Sequence, residues 1–296
     1  MRADAFEAER AHLFGLAYRM LGSRAEAEDV LQDAWLRVAD TTERIDAPRA
    51  YLTTVVTRLC LDALGSARVR RERYVGPWLP EPLVAIATDA PEAPLERAES
   101  IHLAFLVLLE RLSPLERAAF LLREVFELPY TEVARALDAR EPACRQLVAR
   151  ARAHVDAGRA RFVVAEARER SLFAAFLGAC AQGDEAALTA LLAEDVRLAS
   201  DGGGRTRAAL RPIEGRENVA RFLLGLARKH PSAPVWPARV NGAPGLVFEA
   251  GEDAFVLTLS VGERGVNDVW IVSNPEKLTA LRAQLRALGA SRSPGS

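Results

Sequence analysis

Between Val75 and Arg97 the run Gly-Pro-Trp-Leu-Pro-Glu-Pro-Leu-Val-Ala-Ile-Ala-Thr-Asp-Ala-Pro-Glu-Ala-Pro-Leu-Glu-Arg carries five prolines. Each removes a backbone donor and pushes the residue before it away from helical geometry. The chain therefore cannot be one continuous helical body, and residues 76–99 read as a linker. On its N-terminal side, residues 1 to about 73 show apolar positions at helical spacing. Ser23 and Glu26 form a capping box ahead of Val30, Leu31, Ala34, Trp35 and Val38, with Trp35 read as core. After Pro48, the residues Tyr51, Leu52, Val55, Val56, Leu59, Cys60 and Leu64 keep a second apolar face. This predicts a compact helical bundle.

Beyond the linker, helical periodicity returns at Ile101, Phe105, Leu108 and Leu112, and Ser113-Pro114-Leu115-Glu116 is a capping box with proline in its first turn. A helix ending near Glu127, a short one over Thr131–Leu137, a turn at Asp138–Glu141 and a helix opened by Pro142 form a helix-turn-helix pattern. On the last helix Leu147, Ala151 and Val155 share one face, with Arg145, Ala149 and Arg152 opposite. From Ser171 the pattern becomes mixed: two helices, a strand from Asp195 ending in Asp201-Gly-Gly-Gly204, a helix at Arg216–Lys229, then strand-like runs through Val272. That order is α+β. The divisions are 1–75, the linker 76–99, 100–160, 168–284, and a tail over 285–296 that is polar from Ser291.

Composition bounds what such a chain does. At 296 residues and 50% hydrophobic content it exceeds what one core usually spans. A net charge of −1 with 27% charged residues excludes a uniformly basic nucleic-acid binder and a disordered acidic chain. The N-terminus carries acids where a signal peptide needs a basic start, and no apolar run approaches the ~18 residues of a membrane span, so a cytoplasmic protein is expected. Cys60, Cys144 and Cys180, and the four histidines, lack metal-ligand spacing, so neither a metal nor a cofactor is expected. Only Lys229 and Lys277 among 39 basic residues are lysine.

The neutral total hides two basic clusters. Residues 135–161 hold seven arginines against Asp138, Glu141 and Asp156, and Arg58, Arg68, Arg70, Arg71 and Arg73 stand against Asp62 and Glu72. Two separated basic helices suit one nucleic acid.

Met20-Leu-Gly-Ser-Arg-Ala-Glu-Ala-Glu-Asp-Val-Leu-Gln-Asp-Ala-Trp-Leu-Arg37 closely resembles the core-polymerase-binding helix of bacterial extracytoplasmic-function (ECF) sigma factors, and Pro48–Asp62 resembles the helix that follows it. Leu112–Phe126 with Cys144–Arg152 resembles the family's second promoter-binding domain. Trp78-Leu-Pro-Glu-Pro82, Asp201-Gly-Gly-Gly204 and Asn274-Pro-Glu-Lys-Leu278 resemble the subgroup with a fused SnoaL-like, NTF2-like cone domain. The implied fold is multidomain: a helical bundle (sigma domain two) and a helix-turn-helix domain (sigma domain four), both all-α, followed by an α+β cone. Arg140 stands where the family often has a capping serine, and Ala143 where a polar residue is expected.

The resemblance implies roles. Asp29, Gln32, Asp33, Leu36 and Arg37 would dock the clamp helices of the large subunit of core RNA polymerase. Arg68, Arg70, Arg71 and Arg73 would bind the minus-ten promoter element, and Arg145, Gln146, Arg150 and Arg152 the minus-thirty-five element. Trp78, Leu79, Pro80, Glu81 and Pro82 of the linker, Asp201, Gly202, Gly203 and Gly204, and Asn274, Pro275, Glu276, Lys277 and Leu278 would form a regulatory contact. The fused domain is the candidate internal regulator, with a small ligand in its cone as a candidate signal. Catalysis would need an acid or base in a closed pocket. Asp195, Asp201, His230 and Asp268 are the candidates, no two convincingly spaced, with Asp201 expected at an exposed rim. The implied function is promoter-specific transcription initiation without enzymatic activity. The alternatives are a one-component helix-turn-helix regulator and a SnoaL-like small-molecule enzyme with DNA-binding appendages.

Overall fold

The computed structural model describes residues 3–39, 45–72, 74–86, 102–159 and 166–292. The chain forms two compact units, Met1–Arg73 with Ala93–Arg159, and Tyr74–Glu92 with Ala160–Ser296.

The first unit is helical: α1 (Ala3–Leu21), α2 (Arg24–Ala39), α3 (Pro48–Glu72), α4 (Leu103–Leu109), α5 (Pro114–Phe120) continued by a π-helical turn (Leu121–Val125), α6 (Tyr130–Leu137) and α7 (Glu141–Arg159). Leu13, Leu16, Tyr18, Met20, Leu31, Leu52 and Val56 are fully or almost fully enclosed. The Ser113–Glu116 capping box forms in both directions, the Ser113 Oγ accepting from the Glu116 amide and Glu116 accepting from the Ser113 amide. On α7 the buried stripe is Cys144, Val148, Ala151 and Val155, while Leu147 is only half-buried. Ala151 and Val155 thus lie on the predicted face, with Val148 in place of Leu147 and Cys144 added as a small hydrophobe. Trp35 is half-buried rather than core, its ring meeting Phe6 edge-on at 5.3 Å.

Two arginines tie the helices of this unit together. Arg117, 3% exposed, donates to Glu110 and to the Met20 carbonyl at the end of α1, both at 2.6 Å. Arg58 on α3 donates to the carbonyls of Arg135 (2.8 Å) and Ala136 (3.3 Å), where α6 ends in a left-handed Asp138. A cation at a helix C-terminus satisfies carbonyls that the helix leaves unpaired.

The second unit is α+β, as the sequence pattern implies. Its elements are β1 (Val84–Ile86), α8 (Glu166–Gln182), α9 (Glu185–Leu191), β2 (Leu192–Asp201), β3 (Ile213–Glu214), α10 (Arg216–Lys229), β4 (Val235–Val240), β5 (Ala243–Ala250), β6 (Asp253–Gly262), β7 (Gly265–Val272) and α11 (Thr279–Arg292). Among the described residues seven strands make one sheet in the order β1-β4-β5-β6-β7-β2-β3, antiparallel except where β2 runs parallel to β7. Alternate residues Val196, Leu198, Leu246, Phe248, Phe255, Leu257, Val269 and Ile271 meet Phe173, Phe176, Leu188, Val219, Leu223 and Leu224 in the core. The β4–β5 hairpin turns on Asn241-Gly242, both at positive φ (53° and 81°), the conformation a two-residue loop of this hand requires.

Two segments differ from the sequence reading. Residues 84–86, inside the expected linker, pair antiparallel with Val240, Arg239 and Ala238. They follow Pro82 and contain no proline, so their donors are intact. Asn241 fixes the entry to this strand, since its amide donates to the Leu83 carbonyl (2.8 Å) and its side chain accepts from the Leu83 amide (3.1 Å). The expected tail from 285 is helical to Arg292, because Leu281 and Leu285, four residues apart, bury one face of α11.

The buried Arg117 generates a prediction. Glu110→Gln removes the carboxylate opposite an enclosed guanidinium, and breaking such a pair costs about 3 kcal/mol or more. Urea denaturation of the variant should show that loss. A change under 0.5 kcal/mol would show that the Met20 carbonyl alone satisfies Arg117.

Candidate functional site

The face of α2 expected to meet polymerase is exposed: Asp29, Gln32, Asp33 and Arg37 are open to solvent and Leu36 is 57% exposed. Val30, Leu31, Ala34 and Val38 occupy the buried side. Asp29 and Gln32 also line, with Asp4, Glu7, Arg10, Glu28 and neighbours, a groove of about 680 Å³ beside α1.

On α7, Arg145, Gln146, Arg150 and Arg152 are all exposed. Arg145 pairs with Glu141 (3.1 Å) and lies 4.3 Å from the centre of the Tyr130 ring. Arg150 pairs with Glu116 (2.9 Å) and Arg152 with Glu124 (2.7 Å). The guanidiniums in these pairs are more than half exposed, so each bridge is weak. Glu116 itself is held below the usual carboxylate range, first by the Ser113 hydroxyl. Arg140, with no acceptor in its side chain, closes the turn only through its backbone carbonyl to the Cys144 amide (3.1 Å). The side chains of Arg68, Arg70 and Arg71, and Arg73 entirely, lie outside the described residues.

The three motifs of the expected regulatory contact converge on one carboxylate. Asp201 is 0% exposed, not at a rim. Its Oδ1 accepts from the Tyr74 hydroxyl (2.5 Å) and the Gly203 amide (3.0 Å). Its Oδ2 accepts from the Leu79 amide (2.8 Å) and Lys277 Nζ (2.7 Å). Lys277, 11% exposed, also donates to the Leu79 carbonyl and sits 4.1 Å from the Trp78 ring centre and 5.2 Å from that of Tyr74. Asn274 donates from Nδ2 to the Tyr74 hydroxyl (2.7 Å), and its backbone amide donates to the Asp201 carbonyl (3.0 Å).

The glycines make room for this cluster. Gly203 sits at φ 60°, and a Cβ there would lie 2.5 Å from Asn274 Cγ. A Cβ on Gly202 would come within 2.5 Å of the Thr206 carbonyl, and one on Gly204 within 3.1 Å of Val75 Cβ. Leu79, Pro80, Pro82 and Leu278 are buried, Glu81 and Pro275 half-buried. Glu276 points outward and pairs with Arg205 (3.0 Å), both about two-thirds exposed. Tyr74 was not singled out in the sequence, since nothing in its spacing marks a tyrosine after a basic helix end. Burial, then the bond to Asp201, raises its hydroxyl pKa well above the usual tyrosine value.

Residues 5–70 match the family description Sigma-70 region 2, and residues 102–155 match Sigma-70, region 4. The ECF RNA polymerase sigma factor SigJ of Mycobacterium tuberculosis is 39% identical over 293 residues, covering 94% of each chain. The chain belongs to the ECF sigma factor family. The probable ECF sigma factor SigI of the same species is 34% identical over 285 residues, covering 95% of this chain and 96% of its own. The crystal structure of M. tuberculosis SigJ superposes with a TM-score of 0.77 at 36% identity, over 94% of this chain and 98% of that one. This is an ECF sigma factor of SigJ type, a transcription initiation factor with a fused α+β C-terminal domain.

The residues weighed for catalysis in this sigma factor are dispersed. Asp195 is exposed, Asp201 sits in the cluster above, and Asp268 accepts from Ser260 on the sheet face opposite the core residues Val269 and Ile271. His230 alone of the four lines an apolar cavity among α8, α10, β5 and β6.

A raised tyrosine pKa links to stability with a definite sign. The neutral hydroxyl is favoured in the fold, so the contribution is complete below the ordinary value of about 10 and is lost as pH rises through the higher folded value. Thermal unfolding from pH 8 to 11.5 should therefore show a steeper alkaline loss for the native chain than for Tyr74→Phe. Asp201→Ala, which leaves Lys277 buried without its counter-charge, should lower stability by about 3 kcal/mol at pH 7. Parallel alkaline curves, or a neutral Asp201→Ala, would contradict this geometry.

Proposed function

We propose that this sigma factor joins core RNA polymerase through the outer face of α2, with Asp29, Gln32, Asp33 and Arg37 arranged around the exposed Leu36. An exposed apolar residue ringed by polar ones is the usual composition of a docking surface. The similarity to RNA polymerase sigma factors supports core polymerase as the partner and the cytoplasm as the place of action. Promoter DNA is taken by Arg145, Gln146, Arg150 and Arg152 on α7 and by the basic end of α3, Arg68 to Arg73. Residues 1–75 and 100–160 serve as the two promoter-binding domains.

The C-terminal domain acts as an internal regulator. The observation that carries this reading is the buried Asp201 carboxylate, which binds Tyr74 and Leu79. Those residues belong to the segment separating the portions matched by region 2 and region 4. Whether residues 74–86 are held or released changes the length of free chain between the two promoter-binding regions, and hence the spacing they span. The dispersal of Asp195, Asp201, His230 and Asp268 supports a domain that regulates without catalysing a reaction. A small ligand entering the cavity lined by His230 is the signal this domain would receive.

Run-off transcription with purified core polymerase tests the reading. Promoter-specific product should require the chain, and Asp29→Arg with Asp33→Arg should abolish co-purification with core polymerase. Arg145→Ala should lower specific initiation about tenfold without weakening core binding, the cost of about 1–3 kcal/mol per lost base contact. Trp78→Ala and Asp201→Ala should each change output and combine non-additively. Operator binding without polymerase would establish a one-component regulator instead. Unchanged output from both variants would make the C-terminal domain a passenger.

A further inference from the structure

The cavity in the C-terminal unit has a volume of about 670 Å³, within the range of pockets that enclose small molecules. Its walls are hydrocarbon: Phe176 from α8, Leu223 and Leu224 from α10, Leu246 and Phe248 from β5, and Leu257 from β6. Among the described residues no carboxylate lines it, and Cys180, the thiol in its wall, is pushed up to about 11 by burial, so the thiol stays protonated at neutral pH.

Polarity enters where Gln182 ends α8, Arg228 stands in the last turn of α10 and His230 follows that helix. Arg228 uses Nε on the Leu224 carbonyl (3.2 Å), which leaves its terminal nitrogens as donors that cannot lose their charge. The half-buried His230 ring has no hydrogen-bond partner among the described residues. Val235, 56% exposed, also lines the cavity and marks its open side.

An apolar chamber whose cationic and donor groups stand only at its mouth selects for shape and charge together. We infer that it binds an apolar carboxylate, with the hydrocarbon among Phe176, Leu223, Leu246, Phe248 and Leu257 and the carboxylate at Arg228 and His230. This rests on the reading of the C-terminal domain as one that receives a small ligand, and it names the ligand's class. Burial of the hydrocarbon supplies affinity, and the mouth supplies the discrimination.

The test is calorimetric titration of the full-length chain with decanoate, decan-1-ol and decylamine, each below its aggregation concentration. Decanoate should bind at least tenfold more tightly than decan-1-ol, with decylamine weakest. Arg228→Ala with His230→Ala, at mouth positions outside the core, should bring decanoate down to the level of the alcohol. Leu226→Trp, at a partly exposed wall position, should weaken all three. Equal binding of the three probes would overturn the carboxylate assignment while leaving a ligand-receiving domain in place. Absence of binding by every probe, or binding untouched by Leu226→Trp, would overturn the cavity as the ligand site. Neither result bears on promoter-specific transcription, which the run-off assay measures separately.

Discussion

A carboxylate with no exposed surface must find enough partners to replace water, and Asp201 finds four. One of them, Lys277, supplies the opposite charge, and the others are a phenol and two backbone amides. These partners lie 127, 122, 2 and 76 residues away in sequence, so the requirement of a single buried group gathers three separated stretches of chain. The position of the proline-rich segment, the close approach of Gly203 to Asn274 and the turn before α11 all follow from it. Of the chain's two lysines, Lys277 is placed where a compact ammonium is needed. It reaches a carboxylate and a carbonyl while an indole ring covers it.

The arginines of the helical unit divide by burial. Arg117 is enclosed and fixed by Glu110 and the Met20 carbonyl, and Arg58 is spent on the carbonyl end of α6. Those contacts hold structure. Arg145, Arg150 and Arg152 are paired only at the surface, where water and salt weaken an ion pair to a fraction of a kcal/mol. The same residue type is thus enclosed in the packing at Arg117 and left at the surface on α7.

Local rules made much of this legible. The Ser113–Glu116 box, the short α6 and the basic α7 follow from spacing alone, and the motifs around Asp29, Arg145 and Trp78 suffice to suggest the family. What could not be read depended on partners distant in sequence. Asp201 beside three glycines looks like an exposed turn until Tyr74, Leu79 and Lys277 are placed around it. Val84–Ile86 is too short to register as a strand, and it becomes one because β4 offers an edge. On α7 the stripe that Ala151 and Val155 mark is completed by Val148 and by Cys144, which, polar in name, packs as a hydrophobe. The His230 cavity has no sequence signature, since its walls come from two helices and three strands, none of which marks a site by its own pattern.

The account rests on residues 74–79 being held by Asp201, and the Leu79 amide reports this directly because Oδ2 of Asp201 is its acceptor. Amide hydrogen exchange on the full-length chain, comparing the native protein with Asp201→Asn, measures it. The account predicts strong protection at Leu79 in the native chain and its loss, together with faster exchange at Trp78 and Leu83, in Asp201→Asn. Equal and rapid exchange at Leu79 in both proteins would contradict it.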